Sequence, residues 1–469
     1  MSNPPLLRAA LAAHRFGLGE PSLRGPAGDP EGWLLAQIGP ADAPRGAGLL
    51  STREGLELIA AEREKRQQAR NPPPGMTAEQ LLAGHYREAT IADARSHLLS
   101  AALSTRPLME RLQLFWTNHF TVSLQKGSAR GLIGAFERDA IRPHIAGSFE
   151  DLLVASTTHP AMLRYLDNAQ SAGPNSRVVA REAQRAARAG EPRRVTGINE
   201  NLAREVLELH TLGAVSGRDA HGGRDGYGQA DVTAFAAVLS GWRVGADGAA
   251  RAVPFDPNWH EPGAKTVLGK SYPEGPDALR AVLHDLARHP ATARFIATKL
   301  ARHFVADDPP QPLVERLART CLRSDGDLPT LYRELIGSPE AWQMPLRKLK
   351  TPEEFVISTV RVLGVGERMF ERGDGAGIGA LGQRIHAAPS PAGWSDRADD
   401  WLGPDAVWKR VEWATRTAER AGRTIDAREL AAQSLGPLLG VATREQIERA
   451  ADGPQALALL LLAPEFQRR

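Results

Sequence analysis

The sequence predicts a mainly α protein: a large multi-helical body with a small irregular or hairpin insertion near 250–270. Three observations predict it. Apolar residues recur at helical spacing, as at Leu108, Leu112, Phe115, Trp116 and Phe120. Cap and stop residues accompany the apolar runs, with Thr77 and Asn199 before them and Gly213 after. No series of alternating strand-like segments interrupts the pattern. With 469 residues, 42% hydrophobic and 24% charged, the chain can bury a sizeable core.

Taken in order, residues 5–13 and 30–38 read as short helices flanked by Gly and Pro. A charged helix follows near 53–70, carrying Glu54, Glu57, Glu62 and Glu64 against Arg63, Lys65 and Arg66. Asn71-Pro72-Pro73-Pro74-Gly75 must end it, because proline lacks the N–H donor and clashes with the preceding turn. Thr77 with Gln80 forms a capping box and predicts a second long helix. An aromatic-rich segment within 107–126 has helical spacing, and further helices near 130–145 and 149–157 complete a helical layer.

The breakers divide the chain into an N-terminal helical region (1–170), an Arg/Ala-rich exposed insertion (171–198), a central helical region (199–364) and a Gly/Pro/Trp-rich segment with C-terminal helices (365–469). These stretches are compatible with one continuous domain. In the central region Asn199 caps a predicted helix from Glu200 to Leu212, with Gly213 just past its end. His159-Pro160 and His289-Pro290 open similar segments, and a shared helix-start rule explains both.

Several function classes are excluded. The net charge is only +3 and the aromatics do not cluster with the arginines, so no nucleic-acid partner is expected. The single cysteine, Cys321, rules out an intrachain disulfide and a cysteine-based zinc cluster. No run approaches the roughly 18 apolar residues of a membrane span. The first residues show no basic segment followed by an apolar one, so a cytoplasmic location is expected, with periplasmic delivery through a partner's signal as the alternative. Gly377-Ile378-Gly379-Ala380-Leu381-Gly382 matches a dinucleotide fingerprint in letters only, because no apolar strand precedes it.

Chemistry is expected on the 200–210 helix. At about 100° per residue, Glu200, Asn201, Arg204, Glu205 and Glu208 share one polar arc. Glu205 and Glu208 are one turn apart, so their carboxylates can converge on one cation or proton. A solvated, salt-bridged face is the competing reading. His210 lies among the apolar positions, where a histidine bonded to a carbonyl is the commoner case. His119 follows Trp116 and Asn118, and Asp167-Asn168 closes another helix. His260 and Lys265 lie in a breaker-rich loop that could meet an anion. The expected pocket combines Glu205, Glu208, His119, His260 and Lys265 as catalytic groups. Glu200, Glu205, Glu208 and His119 are its metal ligands, with a divalent metal as cofactor. Asn168, Asn201, Arg204, His210 and Asp231 are supporting polar groups.

The ordered motifs Ala13-His14-Arg15-Phe16-Gly17-Leu18-Gly19, Phe115-Trp116-Thr117-Asn118-His119-Phe120, His159-Pro160-Ala161-Met162-Leu163 and Asn199 to Gly213 resemble the bacterial family called domain of unknown function 1800. Tyr227-Gly228-Gln229-Ala230-Asp231-Val232, Gly241-Trp242, His260 with Lys265 to Gly269, Lys350-Thr351-Pro352 and Gly393-Trp394 extend the likeness over nearly the whole chain. The resemblance implies a largely helical fold and no settled activity. It also implies a gene neighbour, domain of unknown function 1501, that looks sulfatase-like and is therefore the expected partner. Two readings follow: an enzyme or metal-binding protein with a carboxylate/histidine pocket, or a non-catalytic helical partner of that sulfatase-like protein. Gly228 departs from the family's usual Thr and weakens the helix cap formed with Asp231.

Overall fold

Helix caps set many of the boundaries. Ser51 and Glu54 exchange hydrogen bonds at the start of the Thr52–Gln68 helix, and Thr351 and Glu354 do so before the Pro352–Leu363 helix. His159 and His289 act alike, each Nδ1 accepting a hydrogen bond from the N–H two residues on, at 3.1 and 3.2 Å. That shared cap explains the His-Pro echo in the sequence. The computed structural model describes residues 4–73, 76–190, 197–214, 226–245, 253–370 and 376–469. Its elements are overwhelmingly helical, from Pro4–Leu11 to Pro464–Gln467. Among the described residues the one sheet is an antiparallel hairpin, Lys265–Val267 with Lys270–Tyr272, in which Thr266 faces Ser271. It lies at the far end of the expected stretch, whose residues 250–252 fall outside the described ones.

Two elements differ from expectation. The Thr77 capping box is present, but its helix is only Ala78–Leu82. Gly84 takes a left-handed φ of 73°, and a separate helix runs over Arg87–Leu103. The predicted 200–212 helix is α-helical over Asn201–Glu205 and then π-helical over Val206–Thr211. Leu212 N–H reaches back five residues to the Leu207 carbonyl, at 2.8 Å. The wider turn advances less per residue than an α-helix, so the polar arc drawn at a constant angle fails beyond Glu205. Similar π turns lie at Ala12–Phe16 and Glu137–Ile141.

Side chains pack into two large apolar cores. The first gathers Phe16, Leu112, Trp116, Phe120, Phe136, Phe149, Leu207, Phe235, Phe304 and Tyr332. The second gathers Leu11, Leu98, Leu99, Phe355, Val360, Leu435, Leu457 and Phe466. Core membership does not follow sequence order, since Ala9–Leu11 and the Arg87–Leu103 helix pack with C-terminal helices. The Pro107–His119 helix lies along the seam, with Leu112 and Trp116 in the first core and Leu114 against the second. Trp116 Nε1 donates to Tyr332 Oη at 2.7 Å, and that hydroxyl donates to the Ile145 carbonyl at 2.8 Å. Cys321 is buried near the end of the Gln311–Arg323 helix, which packs on the Leu328–Gly337 helix. No described helix is long and apolar enough to cross a membrane.

Charged side chains are concentrated at the seam. Arg111, Lys348 and Arg469 are fully buried there. Arg111 and Arg469 pair with Glu354, Arg469 and Lys348 pair with Asp396, and Lys348 pairs with Asp307. Each of these three buried cations thus has an opposite neighbour, which a low-dielectric interior demands.

Candidate metal centre and adjoining cleft

The helix Arg87–Leu103 buries Ala94, Leu98, Leu99 and Ala101 in the second core and presents His97 to the seam. The short helix Ile133–Phe136 approaches it closely because residue 134 is glycine. A Cβ there would fall 1.9 Å from Asp93 Oδ1. Asp93 also holds Arg138, at 2.8 Å. That approach brings Glu137, at the head of the π turn, against His97 with Nδ1 to Oε2 at 2.8 Å.

His386 comes from the Gly/Pro-rich segment and reaches the same Glu137 oxygen through Nε2 at 3.0 Å. Its backbone is left-handed, at φ 55°, which is uncommon for a residue with a side chain. The loop is held there by Leu124 N–H on the His386 carbonyl at 2.8 Å and by Ser123 Oγ on the Ala388 carbonyl at 2.7 Å. His97, Glu137 and His386 thereby bring three ligand-type atoms within 4.8 Å of one another. On the far side of the ring, His97 Nε2 meets Glu353 Oε1 at 2.5 Å. Gln383 fixes Glu353, its Nε2 donating to Glu353 Oε2 at 3.2 Å and its Oε1 accepting the Glu353 N–H at 2.9 Å.

The electrostatics follow from this geometry. Burial alone would favour neutral His97, but Glu137 and Glu353 outweigh it and hold the imidazole well above its ordinary value. Burial would likewise raise Glu137, but His97 and His386 outweigh that and keep its carboxyl well below the usual range. A positive charge is therefore favoured between these carboxylates, either as a proton or as a cation.

A cavity of about 50 Å³ lies directly on the cluster, lined by His97, His386, Glu353, Thr117, Asn118 and Trp394 among others. It shares Leu114, Asn118, Glu353 and Trp394 with a larger cleft of about 260 Å³. Gly393, at φ 84°, lets the Trp394 loop press against Asn118; a Cβ there would lie 2.5 Å from the Asn118 carbonyl. Asn118 completes the contact, its Oδ1 accepting the Trp394 N–H at 2.7 Å and its Nδ2 donating to the Trp394 carbonyl at 2.9 Å.

The residues singled out in the sequence are placed differently. His119 is buried in the cleft wall, with Nε2 on the His210 carbonyl at 3.1 Å. Burial keeps both imidazoles neutral, pushing His210 down to about 3 and His119 well below its ordinary value. Glu200 pairs with Arg204 at 3.2 Å and accepts from Gln229 and Thr233, a surface arrangement. Glu205 and Glu208 form a half-buried pair; desolvation first, then Glu208, raises the Glu205 carboxyl. His260 Nδ1 meets the Ser240 carbonyl at 2.7 Å and its Nε2 meets Lys265 Nζ at 2.9 Å. Asn168 donates to the carbonyls of Leu239 and Trp242, both at 3.2 Å, and Asn201 lies exposed at the helix start. Asp231 accepts the N–H groups of Gly228 and Leu268, both at 2.8 Å, and so ties the hairpin turn to the Gln229–Leu239 helix. Glycine leaves the other half of that capping box unmade.

The expected ligand set of Glu200, Glu205, Glu208 and His119 is not gathered into one group. The histidine and carboxylate group that does converge among the described residues is His97, Glu137 and His386. Sequence reasoning missed it because its members lie on three separate elements. The one available signal was a histidine, His97, inside an otherwise buried run.

Fold and site together define a mainly helical protein with a buried histidine/carboxylate cluster opening onto a polar cleft. The chain belongs to the family described as "Protein of unknown function (DUF1800)", whose model matches residues 11–468. No curated protein and no solved structure matches the chain.

Proposed function

We propose that His97 Nδ1, Glu137 and His386 Nε2 hold one divalent metal ion, which would supply a Lewis acid able to activate water for hydrolysis. The observation that carries this reading is the convergence of the three donors, with Glu137 Oε2 lying 2.8 Å from one ring nitrogen and 3.0 Å from the other. Ligand atoms about 2.1 Å from a metal are separated by roughly 3.0–3.4 Å in octahedral or tetrahedral arrangements. Glu353 then accepts from the remaining nitrogen of His97, the carboxylate-to-histidine contact that fixes ring orientation in metal sites. Three protein ligands with a cavity beside them suit catalysis, since a structural site closes its fourth position.

A metal-free cluster with His97 protonated between two glutamates would satisfy the same charges, so metal content decides. Purified protein dialysed against zinc or manganese should hold about one equivalent, and His386→Gln should lose it. His386 lies on a loop and belongs to neither apolar core, so this change spares both. No bound metal in correctly folded protein would refute the reading. The role expected from the family's gene neighbour, assembly with a sulfatase-like protein, requires no metal and would then be the better account.

A further inference from the structure

The cleft beside the proposed metal centre carries two cations with no opposite charge in pairing range among the described residues. Lys299 and Arg302 stand one turn apart on the Pro290–Phe304 helix, and both line the cleft. Side chains at that spacing lie on one face and can close on one ligand. Arg302 donates one N–H to the Asp307 carbonyl at 3.0 Å, which leaves guanidinium donors for a ligand. The other charges of the cleft are committed to one another. Glu354 is held by Arg111 and Arg469, Asp396 by Arg469, His303 and Lys348, and Arg397 by Asp308.

Two imidazole nitrogens in the same wall have no hydrogen-bond partner. His119 directs Nε2 to a carbonyl, so Nε2 carries the proton and Nδ1 is a bare acceptor. His303 directs Nδ1 to Asp396 Oδ2 at 3.0 Å, so its Nε2, 4.0 Å from Glu354 Oε1, likewise makes no hydrogen bond. Burial lowers the affinity of both rings for a second proton. Buried acceptors of this kind call for hydroxyl or N–H donors from whatever fills the space. The half-buried Trp394 adds a flat apolar surface at the junction with the cavity on the metal cluster. The cleft's volume of about 260 Å³ suits a molecule of roughly one ring.

We propose that this cleft binds a polyhydroxylated organic anion, of the sugar-acid or sugar-ester class. Its oxyanion sits between Lys299 and Arg302, its hydroxyls lie against the His119 and His303 rings of the wall, and a ring face lies on Trp394. This ligand class deepens the metal-enzyme reading, because the shared wall of Asn118, Glu353 and Trp394 leads from the cleft to the cluster. Burial holds Lys299 down to about 8, so its ammonium remains mostly charged at neutral pH.

The test is calorimetric titration of the whole chain, with and without bound zinc. The panel is glucuronate, galacturonate, glucose 6-phosphate and glucose 6-sulfate, with glucose and cyclohexanecarboxylate as controls. At least one hydroxylated anion should bind tenfold or more tightly than both controls. Comparing carboxylate, phosphate and sulfate members identifies which oxyanion the pair prefers. Lys299→Gln and Arg302→Gln should each weaken binding at least tenfold while zinc content stays unchanged. Binding that survives both substitutions, or a panel in which no hydroxylated anion exceeds the controls, overturns the proposal. Anion binding by a protein that takes up no metal would sustain this inference and remove only the metal reading. Metal uptake without anion binding would do the reverse.

Discussion

Replacing Glu354 with Gln should uncover the charge network at the seam. The glutamine oxygen can still accept the Thr351 N–H that the carboxylate holds at 2.9 Å, so the start of the Pro352–Leu363 helix survives. What disappears is the negative charge between two buried guanidinium groups, Arg111 and Arg469. Burial alone would raise the Glu354 carboxyl, but Arg469 and Arg111 outweigh it and hold it at about 2, against an ordinary value of 4.5. A carboxyl depressed by that interval contributes on the order of 3 kcal/mol to folding at neutral pH. The cost of breaking one partner out of a buried pair, about 3–5 kcal/mol, is of the same size. The sign follows from the depressed value: the contribution is complete above about pH 4.5 and is lost as pH falls toward 2. Urea unfolding of both proteins should therefore show a gap of about 3 kcal/mol at pH 7 that narrows steadily below pH 4.5. A gap under about 1 kcal/mol at pH 7, or one that does not change between pH 7 and pH 3, would refute the reasoning.

Two further outcomes concern the remaining polar features. Glu205 has a raised carboxyl, through desolvation first and then Glu208, so its ionisation opposes folding as pH rises through its folded value. Glu205→Gln should accordingly raise the urea midpoint at pH 7 and leave it unchanged at pH 4; a lower midpoint at pH 7 would contradict this account. Gly393→Ala places a methyl 2.5 Å from the Asn118 carbonyl at a left-handed φ of 84°. It should cost about 1–3 kcal/mol and reduce anion binding by moving Trp394, with unchanged stability and affinity counting against it.

Helical architecture was legible because amphipathic spacing and caps are local. Thr77 with Gln80, Gly213 at φ 85° and the two His-Pro starts all sit where the sequence predicts. The π turn at Val206–Thr211 was not legible, since a fixed angle per residue contains no signal for an extra residue in a turn. The cluster was hidden for another reason. His97 and Glu137 are 40 residues apart, and Glu137 and His386 are 249 apart. Their meeting depends on Gly134 admitting a close helix contact and on Ser123 and Leu124 holding a distant loop. Glu200, Glu205 and Glu208 drew attention because proximity in sequence imitates proximity in space. Glu200 instead completes a surface network with Arg204, Gln229 and Thr233.

The solitary thiol of Cys321 supplies a timer that needs no engineering. It is 4% exposed, and burial pushes its thiol up to about 11, so a maleimide or disulfide reagent finds neither access nor thiolate in the folded state. Labelling must wait for the Gln311–Arg323 helix to part from the core it packs on. The rate of modification in dilute denaturant thus reports how often that helix opens from the core. A cysteine introduced at any exposed position would react first, leaving the native thiol as a second, slower clock in the same molecule.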